Sequence, residues 1–286
     1  MGMSRQQAID CFRSDDLIGI GMEADALRRR LHPQGVVTYT CVNIVNVDSA
    51  LASAEADPTS MTLRLMTASA NLDHLDKASA MCRTLYPSAW IEAGFYGSAV
   101  SIMDATETVA KCADAGVDSI FVDPRNECGD FAGVQTAALK LHRAAHSRGM
   151  HTVATIPFGC GESIQERLNF LEAVRALQEE TGGFAAALPL GLQARGGRDL
   201  DGVTAVERLK MLAITRLCLD NVPHLRSVET PAGLKVLQTG LRFGADDAEL
   251  HVPQRGTTEQ DLRRVIRDAG FRPVERDGAY SMMFLN

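Results

Sequence analysis

No ready-made catalytic signature stands in this chain: it has no Gly-rich phosphate loop, no Ser-His-Asp order and no Walker sequence. What it offers is a series of polar residues at or just beyond the ends of apolar, strand-like runs. They are Asn43, Thr67 and Ser69, Glu92 and Tyr96, Asp123 and Arg125, Thr155 and Glu162, Gln193 and Arg195, Glu229, and Asp246 with Asp247. Brought together, these form a rim rich in carboxylates with two arginines. A guanidinium grips a carboxylate or phosphate through paired N–H donors, so such a rim fits a small polar ligand. Glu92, Glu162 and Asp123 are the candidate catalytic acids or bases. Asn43, Arg64, Ser69, Tyr96, Arg125, Thr155, Gln193, Glu229 and Asp246 are the candidate ligand contacts. Glu92 and Arg64 fall inside strand runs, where a charge is buried and persists only when paired; a functional and a purely structural ion pair satisfy that equally. Asp246-Asp247 follows Gly244, so turning the chain competes with ligand contact.

Metal and thiol chemistry have weaker support. His142 and His146 are four residues apart on one helical run, a spacing that zinc helices use, but they precede a strand on an outer helix, where packing explains them. Seven cysteines are scattered and never form a C-x2-C pair, so neither a disulfide framework nor a zinc ribbon is expected. Cys160 is the one thiol on the expected active face. It has no identifiable base or cation to lower its pKa, so inert packing is expected. No metal is predicted.

The elements that must position the rim alternate strand and helix. Residues 4–31 read as two helices, the second opened by Ser14-Asp15-Asp16 and closed at His32-Pro33. Strands are expected at 35–43, 61–67, 89–96, 119–122, 151–158, 184–192, 224–228 and, weakly, 248–252. Helices are expected between them at 48–57, 72–85, 101–115, 131–148, 164–181, 204–221 and 233–243, then at 257–269, followed by an extended tail. Strands nearly continuously apolar, spaced by helices of this length, imply a parallel sheet buried on both faces. Eight such units imply an α/β fold of the (β/α)8 TIM-barrel type, in which function sits at the C-terminal ends of the strands. A single domain over 1–286 is expected, with a helical extension at 1–33 and a C-terminal extension at 255–286 that packs over one end.

Bulk composition narrows the partners. A net charge of −7 with a pI near 5.5 argues against a nucleic-acid surface. Arg28 to Arg30 reads as the solvated last turn of a helix, whose dipole favours cations there. No apolar run is long enough to span a bilayer and the first residues lack a signal-peptide core, so a cytoplasmic protein that binds a small molecule and neither membrane nor nucleic acid is expected. For macromolecular partners, a second copy of the chain stays open.

Several stretches resemble one family. LRRRLHPQGVVTYT (27–40) is similar to the start of the catalytic barrel in the radical SAM enzymes of the menaquinone futalosine pathway: aminofutalosine synthase, dehypoxanthine futalosine cyclase and the related deazaflavin (FO) synthases. HRAAHSRGMHTVATIPFGCGES (142–163) resembles the family's passage into a Tyr-Gly-His-x-Glu-Thr turn, with Phe158, Gly159, Cys160, Glu162 and Ser163 in those places. ALQEETGGFAAALPL (176–190), LAITRLCLDNVPHL (212–225), LRFGADDAEL (241–250) and IRDAGFRPVERDGAY (266–280) resemble later passages, so the likeness covers most of the chain from about residue 24 onward.

The departures fall at the cofactor. The family follows its first strand with a loop bearing C-x3-C-x2-C, whose thiolates hold a [4Fe–4S] cluster; no such triplet occurs here, and only residues 44–60 separate the first two strands. The Gly-rich turn associated with seating S-adenosylmethionine is replaced by Asp123-Pro124-Arg125-Asn126-Glu127-Cys128-Gly129, and the His of the later turn is Cys160. Reductive cleavage of the sulfonium needs an iron with an open site. The expectation is therefore no cofactor: neither a [4Fe–4S] cluster nor radical use of S-adenosylmethionine. Three readings stay open: a cluster-free enzyme doing lyase, isomerase or hydrolase work on a nucleoside-like or carboxylated small molecule; a non-catalytic ligand-binding relative or partner of a radical SAM enzyme; and a cluster supplied by other thiols.

Overall fold

The computed structural model describes residues 2–48, 62–124, 130–192, 202–229, 233–252 and 257–282. Two helices lead in, α1 (Arg5–Arg13) and α2 (Leu17–Leu31). Ser4 and Gln7 form a reciprocal capping box on the first, and Asp16 caps the second by accepting from the Gly19 amide at 2.8 Å. Eight parallel strands follow: β1 (Val36–Asn46), β2 (Thr62–Thr67), β3 (Trp90–Tyr96), β4 (Ser119–Asp123), β5 (Thr152–Phe158), β6 (Phe184–Gly191), β7 (His224–Val228) and β8 (Asp247–Val252). The helices between and after them are α3 (Asp73–Leu85), α4 (Gly97–Val100), α5 (Ala105–Asp114), α6 (Phe131–Ser147), α7 (Ile164–Thr181), α8 (Ala205–Cys218), α9 (Leu234–Gly240) and α10 (Glu259–Asp268). The helix expected at 48–57 lies outside the described residues. The helix expected over 101–115 starts later, at Ala105, because Asp104 caps it there by accepting from the Glu107 amide; the short α4 lies before the expected range.

The strands hydrogen-bond in the order β4-β3-β2-β1-β8-β7-β6-β5, which brings β4 and β5 together at the two ends. Side chains close that seam: the Thr155 hydroxyl donates to the Val122 carbonyl at 2.9 Å and the Ser119 hydroxyl to the His151 carbonyl at 2.7 Å. The result is a nearly closed (β/α)8 barrel. A ninth strand, β9 (Arg272–Glu275), runs parallel to the first half of β1, Val36 opposite Arg272 and Tyr39 opposite Glu275. It occupies the edge of β1 below the point where β2 begins to pair at Val42. The tail thus packs over the N-terminal end of the barrel.

Alternate residues of each strand face the axis, and the two faces carry different chemistry. The outward set, such as Leu63, Leu65, Ile91, Ala93, Phe95, Ala248 and Leu250, packs under the helices in two large apolar clusters. The inward set has a small apolar storey of Met66, Phe121, Val153, Ala186 and Leu188. Below it the interior is charged. Arg28, expected to be solvated, is also buried: its guanidinium lies over the Phe271 ring at 4.5 Å and its Nε donates to Asp25 at 2.8 Å. Among the described residues no helix is long and apolar enough to cross a membrane.

Candidate functional site

The inward positions of β2, β3, β7 and β8 place Arg64, Glu92, Arg226, Asp247 and Glu249 in one connected network. Arg64 donates from Nε to Glu92 at 2.7 Å and through its two terminal nitrogens to Glu249 at 2.8 and 3.0 Å, a fork on a carboxylate, while its plane lies 3.7 Å from the centroid of Phe121. Arg226 donates to Asp247 at 2.9 Å and also to Glu249. Arg276, just past β9, donates twice to Asp247 at 2.7 Å. Burial alone pushes these carboxylates up, but the facing guanidiniums outweigh it: Arg276 and Arg226 hold Asp247 at about 2, and Arg64 and Arg226 hold Glu249 well below the usual range.

Tyr280 closes the network from below. It sits at φ 65, a left-handed conformation rare for a residue with a Cβ, and its ring is clamped between His224 at 4.6 Å and the Arg276 guanidinium at 3.8 Å. Its hydroxyl meets Arg226 at 2.5 Å and Asp247 at 3.1 Å. Gly278 lies so close to the Trp90 ring that a Cβ there would sit 2.0 Å from it. The N-terminal end of the barrel is therefore plugged by the chain's own tail.

The expected rim residues separate accordingly. Glu92 and Arg64 belong to the buried network, so their side chains serve one another as well as Glu249. Asn43 shares strand parity with Cys41 and Val45, which pack against the outer clusters. It faces the helices, not the axis, and its buried Nδ2 has no hydrogen-bond partner. Asp246 was expected on the C-terminal rim; it directly precedes β8 and therefore lies at the opposite, N-terminal end, since a residue before a parallel barrel strand sits where that strand enters. Thr155 staples the β4–β5 seam. Glu229 follows β7, buried, with Oε2 unpartnered and Oε1 3.4 Å from the Thr257 hydroxyl. Tyr96 and Asp123 are register partners on the inward face at the tops of β3 and β4. Ser69 lies beyond β2, its hydroxyl accepting from the Asn71 amide. Arg125, Gln193 and Arg195 lie outside the described residues.

Glu162 is committed to its own turn. Gly159 and Gly161, at φ 96 and 86, coil the backbone so that the amides of Gly159 and Cys160 point at the Glu162 carboxylate, at 2.9 and 2.7 Å, and Arg167 adds Nε at 2.6 Å. Consecutive amides in such a coil make an anion cradle, and here the chain's own glutamate fills it. Cys160 is disulfide-bonded, not the packed thiol expected, while Cys11, Cys41, Cys82, Cys112 and Cys218 are free. His142 and His146 pack edge-on to Phe184, at 5.1 and 4.7 Å, and burial pushes them down to about 3 and about 4.

Sequence reasoning missed His251 and its support. It follows Asp247 and Glu249 on the inward face of β8, and its Nε2 lies 2.8 Å from Glu249 Oε1 with about a fifth of the side chain exposed. The signal was present: Asp247-Ala248-Glu249-Leu250-His251 alternates polar and apolar with period two, the mark of a strand with one polar face.

An iron–sulfur cluster requires three convergent thiolates; among the described residues the free thiols sit on α1, β1, α3, α5 and α8, Cys82 and Cys112 in one outer cluster and Cys11, Cys41 and Cys218 in or against the other.

Fold and interior define a nearly closed (β/α)8 barrel with a charged interior. Among solved structures, methylornithine synthase superposes with a TM-score of 0.68 over 96% of this chain and 94% of its own, at 13% identity. Among curated proteins, the aminodeoxyfutalosine synthase of Streptomyces coelicolor is 32% identical over 224 residues, covering 64% of this chain and 56% of that one. The cyclic dehypoxanthine futalosine synthase of Halalkalibacterium halodurans is 25% identical over 338 residues, covering 98% and 91%. The chain is thus similar in sequence to these two synthases. It spans about half the length of the first curated relatives it matches. The 338-residue alignment exceeds the 286 residues of this chain, so at least 52 positions of that alignment face no residue here (338 − 286). No family model matches.

Proposed function

We propose that this chain is a radical-SAM-type barrel working without an iron–sulfur cluster, performing proton-transfer chemistry of the lyase, isomerase or hydrolase type on a carboxylated or nucleoside-like small molecule. The observation that carries it is the donor set: a sequence without the C-x3-C-x2-C triplet, and free thiols dispersed over the described elements. His251 is the acid–base group in this reading. Glu249, held ionised by Arg64 and Arg226, keeps the imidazole proton on Nε2 and so sets the tautomer of a general base, the base-and-orienter arrangement of polar catalysis. Asp123 and Tyr96 stand on the same inward face as register partners and in this reading orient the substrate.

A specific observation favours a second reading, a non-catalytic binder or partner of a radical SAM enzyme: Arg64 and Arg226, the inward cations of β2 and β7, are already matched by carboxylates. Two measurements decide. Anaerobic reconstitution with iron and sulfide is expected to leave no bound iron and no absorbance near about 400 nm; stoichiometric iron overturns the cluster-free reading. A thermal-shift panel of S-adenosylmethionine, adenosine derivatives and enolpyruvyl benzoates is expected to give a stabilising ligand whose turnover is lost in His251→Gln. Binding with no turnover of any ligand favours the second reading.

A further inference from the structure

At the base of the barrel, away from the mouth, His32, His224 and Asp246 each offer a ligand atom within 4.8 Å of the others. They come from three anchored places: the C-cap of α2, the first residue of β7 and the residue before β8. His32 Nε2 is 3.2 Å and His224 Nδ1 2.5 Å from the same carboxylate oxygen, Asp246 Oδ2, and the two rings stack at 5.0 Å. The other oxygen, Oδ1, is taken by Arg216 at 2.5 Å and by the Leu225 amide at 2.8 Å. We propose that this cluster is a divalent-metal site of the zinc type, with Nε2 of His32, Nδ1 of His224 and Oδ2 of Asp246 as its protein ligands.

The chemistry of the set fits. Zinc takes imidazole nitrogen and carboxylate oxygen at roughly 2.0–2.2 Å in a tetrahedron, so its ligand atoms lie about 3.3 Å apart. The His32-to-Asp246 separation already matches; His224, stacked between His32 and Tyr280, has to draw back from its 2.5 Å contact to admit the ion. Arg216 and the Leu225 amide hold Oδ1 and aim Oδ2, the outer-shell orientation that tuned metal sites use. Each imidazole is about a fifth exposed, so an ion reaches the cluster from solvent and the fourth position stays open to water. Without a metal, four donors fill the acceptor sites of one carboxylate, and His32 Nε2 is shared between Asp246 and the Pro223 carbonyl at 2.9 Å, a bond that metal binding gives up. The guanidinium of Arg216 opposes a second positive charge, and it touches only the oxygen the metal does not use.

The site is tested on the full chain without an affinity tag. Zn2+ is expected to bind with close to one equivalent by calorimetry, and Co2+ to give the visible absorption of a tetrahedral site. At a hundredfold excess over Kd, Zn2+ is expected to raise Tm by roughly 5 °C or more. In the His32→Gln/His224→Asn double variant, which keeps polar groups at both positions, the affinity is expected to fall at least tenfold, with folding checked by circular dichroism. His251→Gln is the control for a metal bound at the mouth and is expected to bind as the parent does. No Co2+ band and no Tm shift at millimolar metal, or binding that survives the double variant or disappears with His251→Gln, overturns the proposal.

Discussion

Asp246 at the base and Glu162 at the mouth are two buried carboxylates, each surrounded by donors, and they hold them for opposite reasons. Glu162 accepts from two backbone amides and Arg167, groups that keep their protons at any accessible pH. Its cradle is sealed, which makes the glutamate a structural part of the turn. Asp246 accepts from Arg216, an amide and two imidazoles, and imidazoles can give their protons up. The same residue class thus yields a closed knot in one place and an exchangeable one in the other. What decides is the identity of the donors, more than burial or the number of contacts.

Substitutions at and around the two carboxylates separate their roles. Asp246→Ala leaves Arg216, almost fully buried, without its counter-charge, and is expected to cost about 3–5 kcal/mol in urea denaturation; a loss under about 1 kcal/mol means Arg216 is not held by this pair. Next is the acid limb. Asp247 lies at about 2 in the folded state against 3.8 ordinarily, so its contribution of about 2 kcal/mol is complete above roughly pH 5 and is lost as pH falls through its folded value. Asp247→Asn is expected to flatten that limb; an unchanged acid slope contradicts the assignment. Glu162→Gln keeps an acceptor but loses the charge facing Arg167, and about 1.5 kcal/mol is expected. A loss matching that of Asp246→Ala erases the distinction between the two carboxylates. Smallest is Thr155→Val, which removes one seam bond and is expected to cost about 1 kcal/mol and to speed amide exchange in β4 and β5.

The barrel was legible because each strand is apolar on its outward face and is bracketed by capping or turn residues; α7 and β7 fall on the expected boundaries at both ends. The late start at Ala105 was hidden because Ser101 to Asp104 does not differ enough in composition from the helix that follows. The site was less legible, since facing direction depends on strand parity and on where a strand starts. Asp246 was counted with the strand ends although it comes before β8, which puts it at the base of the barrel. Asn43 was placed on the rim although Cys41 and Val45, of its own parity, are outward. Arg64 and Glu92 were recognisable as a pair, but their third partner, Glu249, comes from β8, far away in the chain.

The pairing of Arg272–Glu275 with Val36–Tyr39 ties the last described strand to the first. During synthesis, then, the opening strand waits with part of one edge unpaired until residues 272–275 have emerged, and the arginine and tyrosine that stopper the cylinder follow after them. A chain shortened before residue 272 loses the neighbour of that edge together with Arg276, one of the two guanidiniums facing Asp247, so the harm of such a truncation is expected to spread through the lower interior rather than stay at the cut.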